Sequence, residues 1–183
     1  METISKGEFA DSYSDIHVSW NVNDWPTVNF EDPALVYRNI ELSLRKEGYC
    51  GNLSVTAYGD IFKSMSEDMM KQYWHAGFFF DEGDDSERLQ RMLEDVPNWT
   101  WKLGRSANLV VLSNISEDVE LVYLMKSMKS RGHNVVFARK SRDDSDSLGL
   151  SQTGIREWIC PDLLDKSLEE IDFAWTTTGH ATW

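Results

Sequence analysis

Two apolar runs without polar alternation, Leu109-Val110-Val111-Leu112 and Val135-Val136-Phe137-Ala138, constrain this chain more than any other feature. A strand that is apolar on both sides needs cover on both sides, and the usual cover is helices laid over a parallel sheet. Between the two runs, about residues 117–131 read as a helix, acidic at its start and basic at its end, with Gly132 beyond it. The helix dipole favours that charge order, and glycine is a common stop.

The same alternation extends upstream. Ile16-His17-Val18-Ser19-Trp20 reads as a short strand. Asp32 can cap a helix that Pro33 opens, and Leu35, Val36, Ile40 and Leu44 recur at helical spacing until Gly48. Leu53 to Tyr58 alternates like a strand and stops at Gly59. Ser64-x-x-Glu67 forms a capping box for a helix through about Trp74. Phe78-Phe79-Phe80 suits a buried strand. Leu89, Met92, Leu93 and Val96 give a third amphipathic helix, which Pro97 is expected to close, leaving 98–106 as a connection. Trp158-Ile159-Cys160 forms a last short strand, and Leu163, Leu164 and Leu168 suit a terminal helix. The expectation is an α/β domain: a mainly parallel sheet of about five strands with helices on both faces. Residues 1–14 read as a polar leader, 15–172 as the domain and 173–183 as a tail.

Composition limits the function classes. The 183 residues hold 31 Asp plus Glu against 18 Lys plus Arg, a net charge of −13. Such a field repels nucleic acid at long range, so an RNA partner needs a local basic patch or a bridging metal. Acid also simply keeps a domain soluble. Residues 126–142 form the one strongly basic segment, with Lys126, Lys129, Arg131, Arg139, Lys140 and Arg142 and no acid. These are the candidate RNA-contacting residues; a helix end balanced by its dipole is the plainer account. Cys50 and Cys160 make no C-x-x-C pair, which argues against a zinc knuckle and for reduced thiols. Met1 to Asp15 is polar and acidic, without the apolar stretch expected of a secretory signal, and no apolar run is long enough to span a bilayer. The expected location is cytoplasmic or nuclear, with no membrane partner.

In an open parallel sheet, ligands sit at the carboxyl ends of the strands. After the first strand come Asn21, Asn23 and Asp24; after the second, Gly59 and Asp60; after the third, Asp81, Glu82, Asp84 and Asp85. After the fourth come Ser113, Asn114, Ser116, Glu117, Asp118 and Glu120. Carboxylates converging from several strands suit hard cations such as Mg²⁺ or Mn²⁺, which activate water and brace a phosphate. Taken singly, each acid is more plainly explained by ordinary capping and dipole chemistry at a helix start. There is no G-x-G-x-x-G, no Walker loop, no nucleophile elbow and no metal-ligand spacing among the four histidines.

One segment ties this pattern to a family. Val55-Thr56-Ala57-Tyr58-Gly59-Asp60 resembles a strand ending in Ala-Tyr-Gly-Asp that is found in the NYN (PIN-like) nuclease domain. The likeness is to the meiosis-regulator and mRNA-stability-factor (limkain) type, numerous in plants. The helix from Tyr37 to Tyr49, the stretch from Met128 to Ala138 and Trp158 are similar to that family too, so the resemblance runs from about Val18 to about Leu164. It implies a metal-dependent endoribonuclease acting in RNA metabolism and regulation of gene expression, with peroxisome association at family level. The implied catalytic set is Asn21, Asp60, Asp85 and Asp118. Asp60, Asp85 and Asp118 would hold Mg or Mn, Asn21 would be a neutral ligand, and Asp24 or Glu120 would assist.

The departures fall at that set. The family's first strand ends in Trp-Asp-x-Glu-Asn-x-Pro; here it reads Trp20-Asn21-Val22-Asn23-Asp24-Trp25-Pro26. Two carboxylates have become amides, although Asp24 can compensate by shifting inward. Of the family's middle acids, Asp85 can occupy the first, and Arg91 or Asp95 falls near the second. The family's Ser-Gly-Asp-x-Asp aligns either with Ser113-Asn114, which puts Ile115 at the Asp, or with Ser116-Glu117-Asp118-Val119-Glu120 after a small insertion. Two readings follow: a weakened nuclease, or a non-catalytic module binding RNA or a protein partner. A third is a protein-interaction domain using the tryptophans of 98–101 and the tail.

Overall fold

The computed structural model describes residues 10–81, 85–113, 119–141 and 153–167, except the side chains of Asp85, Ser86 and Leu89. Six strands form one all-parallel sheet: β1 (Ile16–Asn21), β2 (Leu53–Tyr58), β3 (Phe78–Asp81), β4 (Asn108–Leu112), β5 (Asn134–Arg139) and β6 (Arg156–Ile159). Their order across the sheet is β3-β2-β1-β4-β5-β6. The helices are α1 (Pro33–Lys46), α2 (Glu67–Ala76), α3 (Asp85–Leu103) and α4 (Val119–Ser130), and a 3-10 turn spans Asp60–Lys63. The α/β class, the parallel sheet and the two helical layers are as the apolar runs require, with one strand more than the expected five.

Alternating residues divide each strand between two layers. Val18, Trp20, Val55, Ala57, Val110, Leu112, Val136 and Ala138 pack with Val36, Ile40 and Leu44 of α1 and Tyr73 of α2. Leu109, Val111, Val135 and Phe137 pack with Met92 and Val96 of α3 and with Leu121, Leu124, Met125 and Met128 of α4. Local signals set the helix ends. Asp32 accepts from the Leu35 amide, Ser66 from the Met69 amide, and Gly77 closes α2 at φ 104, where a side chain would be strained.

Pro97 does not end α3, and 98–103 is helix rather than connection. Proline there leaves one helical carbonyl without its amide donor. The buried stripe Met92, Val96 and Thr100 continues across it, and the Thr100 hydroxyl bonds the Pro97 carbonyl at 2.9 Å. Packing on the sheet outweighs the local break. Leu163 and Leu164 are fully buried but lie in turns, not in a helix; Leu168 lies outside the described residues. That turn is clamped by polar groups. Asn39 Nδ2 donates to the carbonyls of Leu164 (2.9 Å) and Lys166 (3.2 Å), and Asn29 Nδ2 and Thr27 Oγ1 also reach Leu164. Asn39→Ala is expected to lower stability by about 1–2 kcal/mol, read as a lower urea midpoint at unchanged slope. An unshifted midpoint would show that the clamp is idle.

Among the described residues, no helix is long and apolar enough to cross a membrane.

Candidate functional site

The strand order reverses between β1 and β4, since β1 connects to β2 on one side and lies beside β4 on the other. The crevice beyond their carboxyl ends is the place where such sheets bind ligands. The loop after β1 is tied down there. Trp20 and Trp25 are both fully buried, and the Trp20 indole donates to the Trp25 carbonyl at 2.8 Å. The Asn21 amide oxygen accepts from the Asp24 backbone N–H at 3.4 Å. The Ser113 hydroxyl, just past β4, donates to the Asp24 carboxylate at 2.5 Å. Asp24 has therefore turned inward and bridges the reversal. Gly59 closes the other flank: a Cβ at this position would lie 3.0 Å from the Asn23 side-chain oxygen and 3.1 Å from the Val22 Cβ, so a larger residue would need those neighbours to give by a few tenths of an ångström.

Asp60 opens the 3-10 turn after β2 and is half exposed, at 51 %. Its carboxylate lies 2.8 Å from a guanidinium nitrogen of Arg88, whose side chain is only 4 % exposed. Arg88 sits one turn into α3, and Arg91, one turn further, pairs with Asp81 at the end of β3 at 2.7 Å. The hydrogen bond and charge of Asp81 hold Arg91 still more firmly protonated. The Tyr58 hydroxyl, at the end of β2, donates to Asp95 of α3 at 2.8 Å. Burial first, then the nearby Asp95 and Asp81 carboxylates, raise the Tyr58 phenol well above its ordinary range, so it stays neutral.

The structure thus brings Asn21, Asp24 and Asp60 to one edge. Asp85 heads α3 at that same edge, and exposed Glu120 lies in the first turn of α4. Asp118, Glu117 and Ile115 lie outside the described residues. Among the described residues, no three His, Cys, Asp or Glu side chains are grouped as a metal ion needs. The donors that are described fit Mg²⁺ or Mn²⁺ poorly. Asn21 is an amide, Asp24 already accepts from Ser113, and Asp60 is paired with a guanidinium, while Glu120 stands in the first turn of α4.

The basic segment is not one patch. Lys126, Lys129 and Arg131 are exposed at the end of α4, with Lys129 Nζ on the Gly154 carbonyl at 2.5 Å. Arg139 and Lys140 lie at the other end of β5, about 17 Å away along the strand. Arg139 is 6 % exposed, pairs with Glu157 at 3.3 Å and lies over the Phe137 ring, so it cannot meet phosphate at the surface. Lys140 donates to the Pro26 carbonyl at 3.2 Å, and Arg142 lies outside the described residues. A helix and the strand that follows it run in opposite directions, so residues contiguous in sequence end on opposite edges of the sheet.

No family model matches this chain, and no curated protein matches it. Two solved structures are similar in outline. The YcaC gene product from Escherichia coli, described as an octameric hydrolase of unknown specificity, is 13% identical, with a TM-score of 0.46 over 82% of this chain and 78% of that one. Homoserine dehydrogenase of S. aureus is 8% identical, with a TM-score of 0.42 over 81% of this chain and 33% of that one, so this chain spans a third of its length. At these scores neither carries an argument about what the chain does.

Arg88 is the residue that reading the sequence missed. Its signal was there: basic residues three apart, Arg88 and Arg91, in the opening turns of a helix, where the dipole favours acid. An arginine in that position needs a carboxylate partner, and the ends of β2 and β3 offer two.

Proposed function

We propose that the chain is an NYN-type domain acting in RNA metabolism and regulation of gene expression, with a carboxylate site degenerate enough that metal-dependent endoribonuclease cleavage is weak or absent. The observation that carries this reading is the buried Arg88 guanidinium on Asp60. Asp60 ends the segment that most resembles the family, and it is the acid on which a divalent ion would depend. A guanidinium supplies positive charge there, but it has no open coordination position and cannot activate water. The amide at Asn21 removes a second charge from the same edge, and hard cations prefer carboxylates. What remains is recognition of RNA. The proposed place of work is the cytoplasm or nucleus, and the resemblance alone adds association with peroxisomes.

The test is single-stranded RNA incubated with the purified protein in Mn²⁺, in Mg²⁺ and in chelator. Binding that weakens by about 0.7 log unit per phosphate contact for each tenfold rise in salt, with the RNA left intact in all three conditions, is the expected result. Robust cleavage in Mn²⁺ that Asp60→Asn abolishes would instead establish the endoribonuclease, with Asp60, Asp85 and Asp118 as its acids.

A further inference from the structure

Parallel topology sets the carboxyl ends of α3 and α4 side by side at the edge of the sheet opposite the acidic one, because the two helices lead into neighbouring strands β4 and β5. The two ends are stitched together. Thr100 of α3 meets Met128 of α4 at 4.0 Å, and beyond the helices the His133 ring accepts the Ala107 N–H at 3.1 Å. Residues 96–116 and 121–142 contain no Asp or Glu, in a chain of net charge −13. Lys102, Lys126 and Arg131 are all exposed at these ends.

Two large aromatic side chains stand in the open: Trp101, two residues before the end of α3, at 87 % exposure, and Tyr123, seven residues before the end of α4, at 75 %. Arg88, Arg91 and the Tyr58-bound Asp95 mark the side of α3 that faces β2 and β3, and Thr100 marks the side that faces α4. Trp101 follows Thr100 by about 100° of helical turn, which carries it from the α4 contact to the outer shoulder. Lys102 follows Trp101 in the chain, and Tyr123 has Lys126 one helical turn after it and Glu120 one turn before it. Leaving two large rings in the open is costly for a folded domain but useful for a polyanion that carries flat rings.

We propose that this face is a docking surface for single-stranded RNA, with Trp101, Lys102 and Arg131 at the end of the sheet away from the carboxylate edge and Lys126 and Tyr123 continuing it part-way along α4. The proposal rests on the RNA reading above and names its surface. The charge complementarity selects a polyanion, since this is the cationic end of an acidic molecule. The exposed rings select unpaired bases, which stack on aromatic side chains. RNA would therefore be held at one end of the sheet, while the acidic end repels it.

The test uses the full chain and a fluorescein-labelled oligouridylate of about 12 nucleotides, followed by polarisation across a salt series. Trp101→Ala should weaken binding about tenfold. Lys126→Gln with Arg131→Gln should flatten the log affinity against log salt plot by about 1.4. All three positions are exposed, and circular dichroism checks that the variants fold. Wild-type binding that both variants retain unchanged overturns this surface and leaves the RNA reading standing. No binding by the wild type overturns both.

Discussion

Asn21→Asp combined with Arg88→Gln should bind Mn²⁺ at least about tenfold more tightly than the wild type, measured by calorimetric titration. Arg88 Nη1 is 2.8 Å from the Asp60 carboxylate, so a cation ligated by Asp60 would lie within a few ångströms of the guanidinium. Two unit charges about 4 Å apart repel by about 4 kcal/mol at an effective dielectric near 20, and more for a divalent ion. Asp60 is half exposed, so solvent screens part of this, and tenfold is a floor set with that in mind. Removing the guanidinium leaves Asp60 facing water, which it tolerates because it is not buried. The Asn21 amide oxygen already lies at the edge, on the Asp24 N–H, and a carboxylate of the same shape can take its place. Arg88 is buried, so its loss costs some stability; the single variant Asn21→Asp, which keeps Arg88, should show a smaller gain in affinity. If neither variant binds Mn²⁺ more tightly than the wild type, the edge does not form a metal site, and the idea of a degenerate centre fails.

The fold should also lose about 3 kcal/mol to a single histidine between about pH 6.5 and pH 4. His17 lies in β1, 3 % exposed, with neither ring nitrogen hydrogen-bonded. It packs on Trp99 of α3, with ring centroids 4.8 Å apart. Ser19, Val96, Leu109, Leu124, Met125 and Met128 line the space around it, and none of them can balance an imidazolium. Burial pushes its pKa from 6.5 down to about 4. The sign follows directly. Below pH 6.5 the unfolded chain takes up a proton that the folded chain refuses. Stability is therefore whole above pH 6.5 and falls as pH drops toward 4. Urea unfolding of wild type and His17→Leu at about pH 7 and about pH 4.5 isolates the effect, because the carboxylates common to both cancel. The variant should lose clearly less stability on acidification. Parallel losses in the two proteins would assign the acid sensitivity elsewhere.

Asp24 and Asp60 show how far the candidate site could be read without coordinates. Both were placed correctly at strand ends, because the point where apolar patterning stops is also the point where the chain leaves the sheet. Asn21 in place of a carboxylate was equally plain. Their partners were not. Ser113 lies 89 residues from Asp24, and Arg88 lies 28 from Asp60, and no periodicity connects either pair.

Layering, strand direction and the cap at Asp32 were determined by the chain's own pattern, since burial repeats with the pitch of each element and caps act within one turn; the cap of α2 falls at Ser66, two residues past the expected Ser64, because α2 begins only at Glu67. Three things were decided only in three dimensions. Helix α3 runs through Pro97 because its buried stripe continues on the sheet, and that long-range packing outweighs one missing hydrogen bond. The basic segment splits because a helix and its following strand run in opposite directions, which leaves Arg131 and Arg139 on opposite edges. The positive charge beside Asp60 comes from Arg88, whose reach to Asp60 exists only once α3 lies across β2 and β3, because an ion pair is set by distance in space and leaves no period in the sequence.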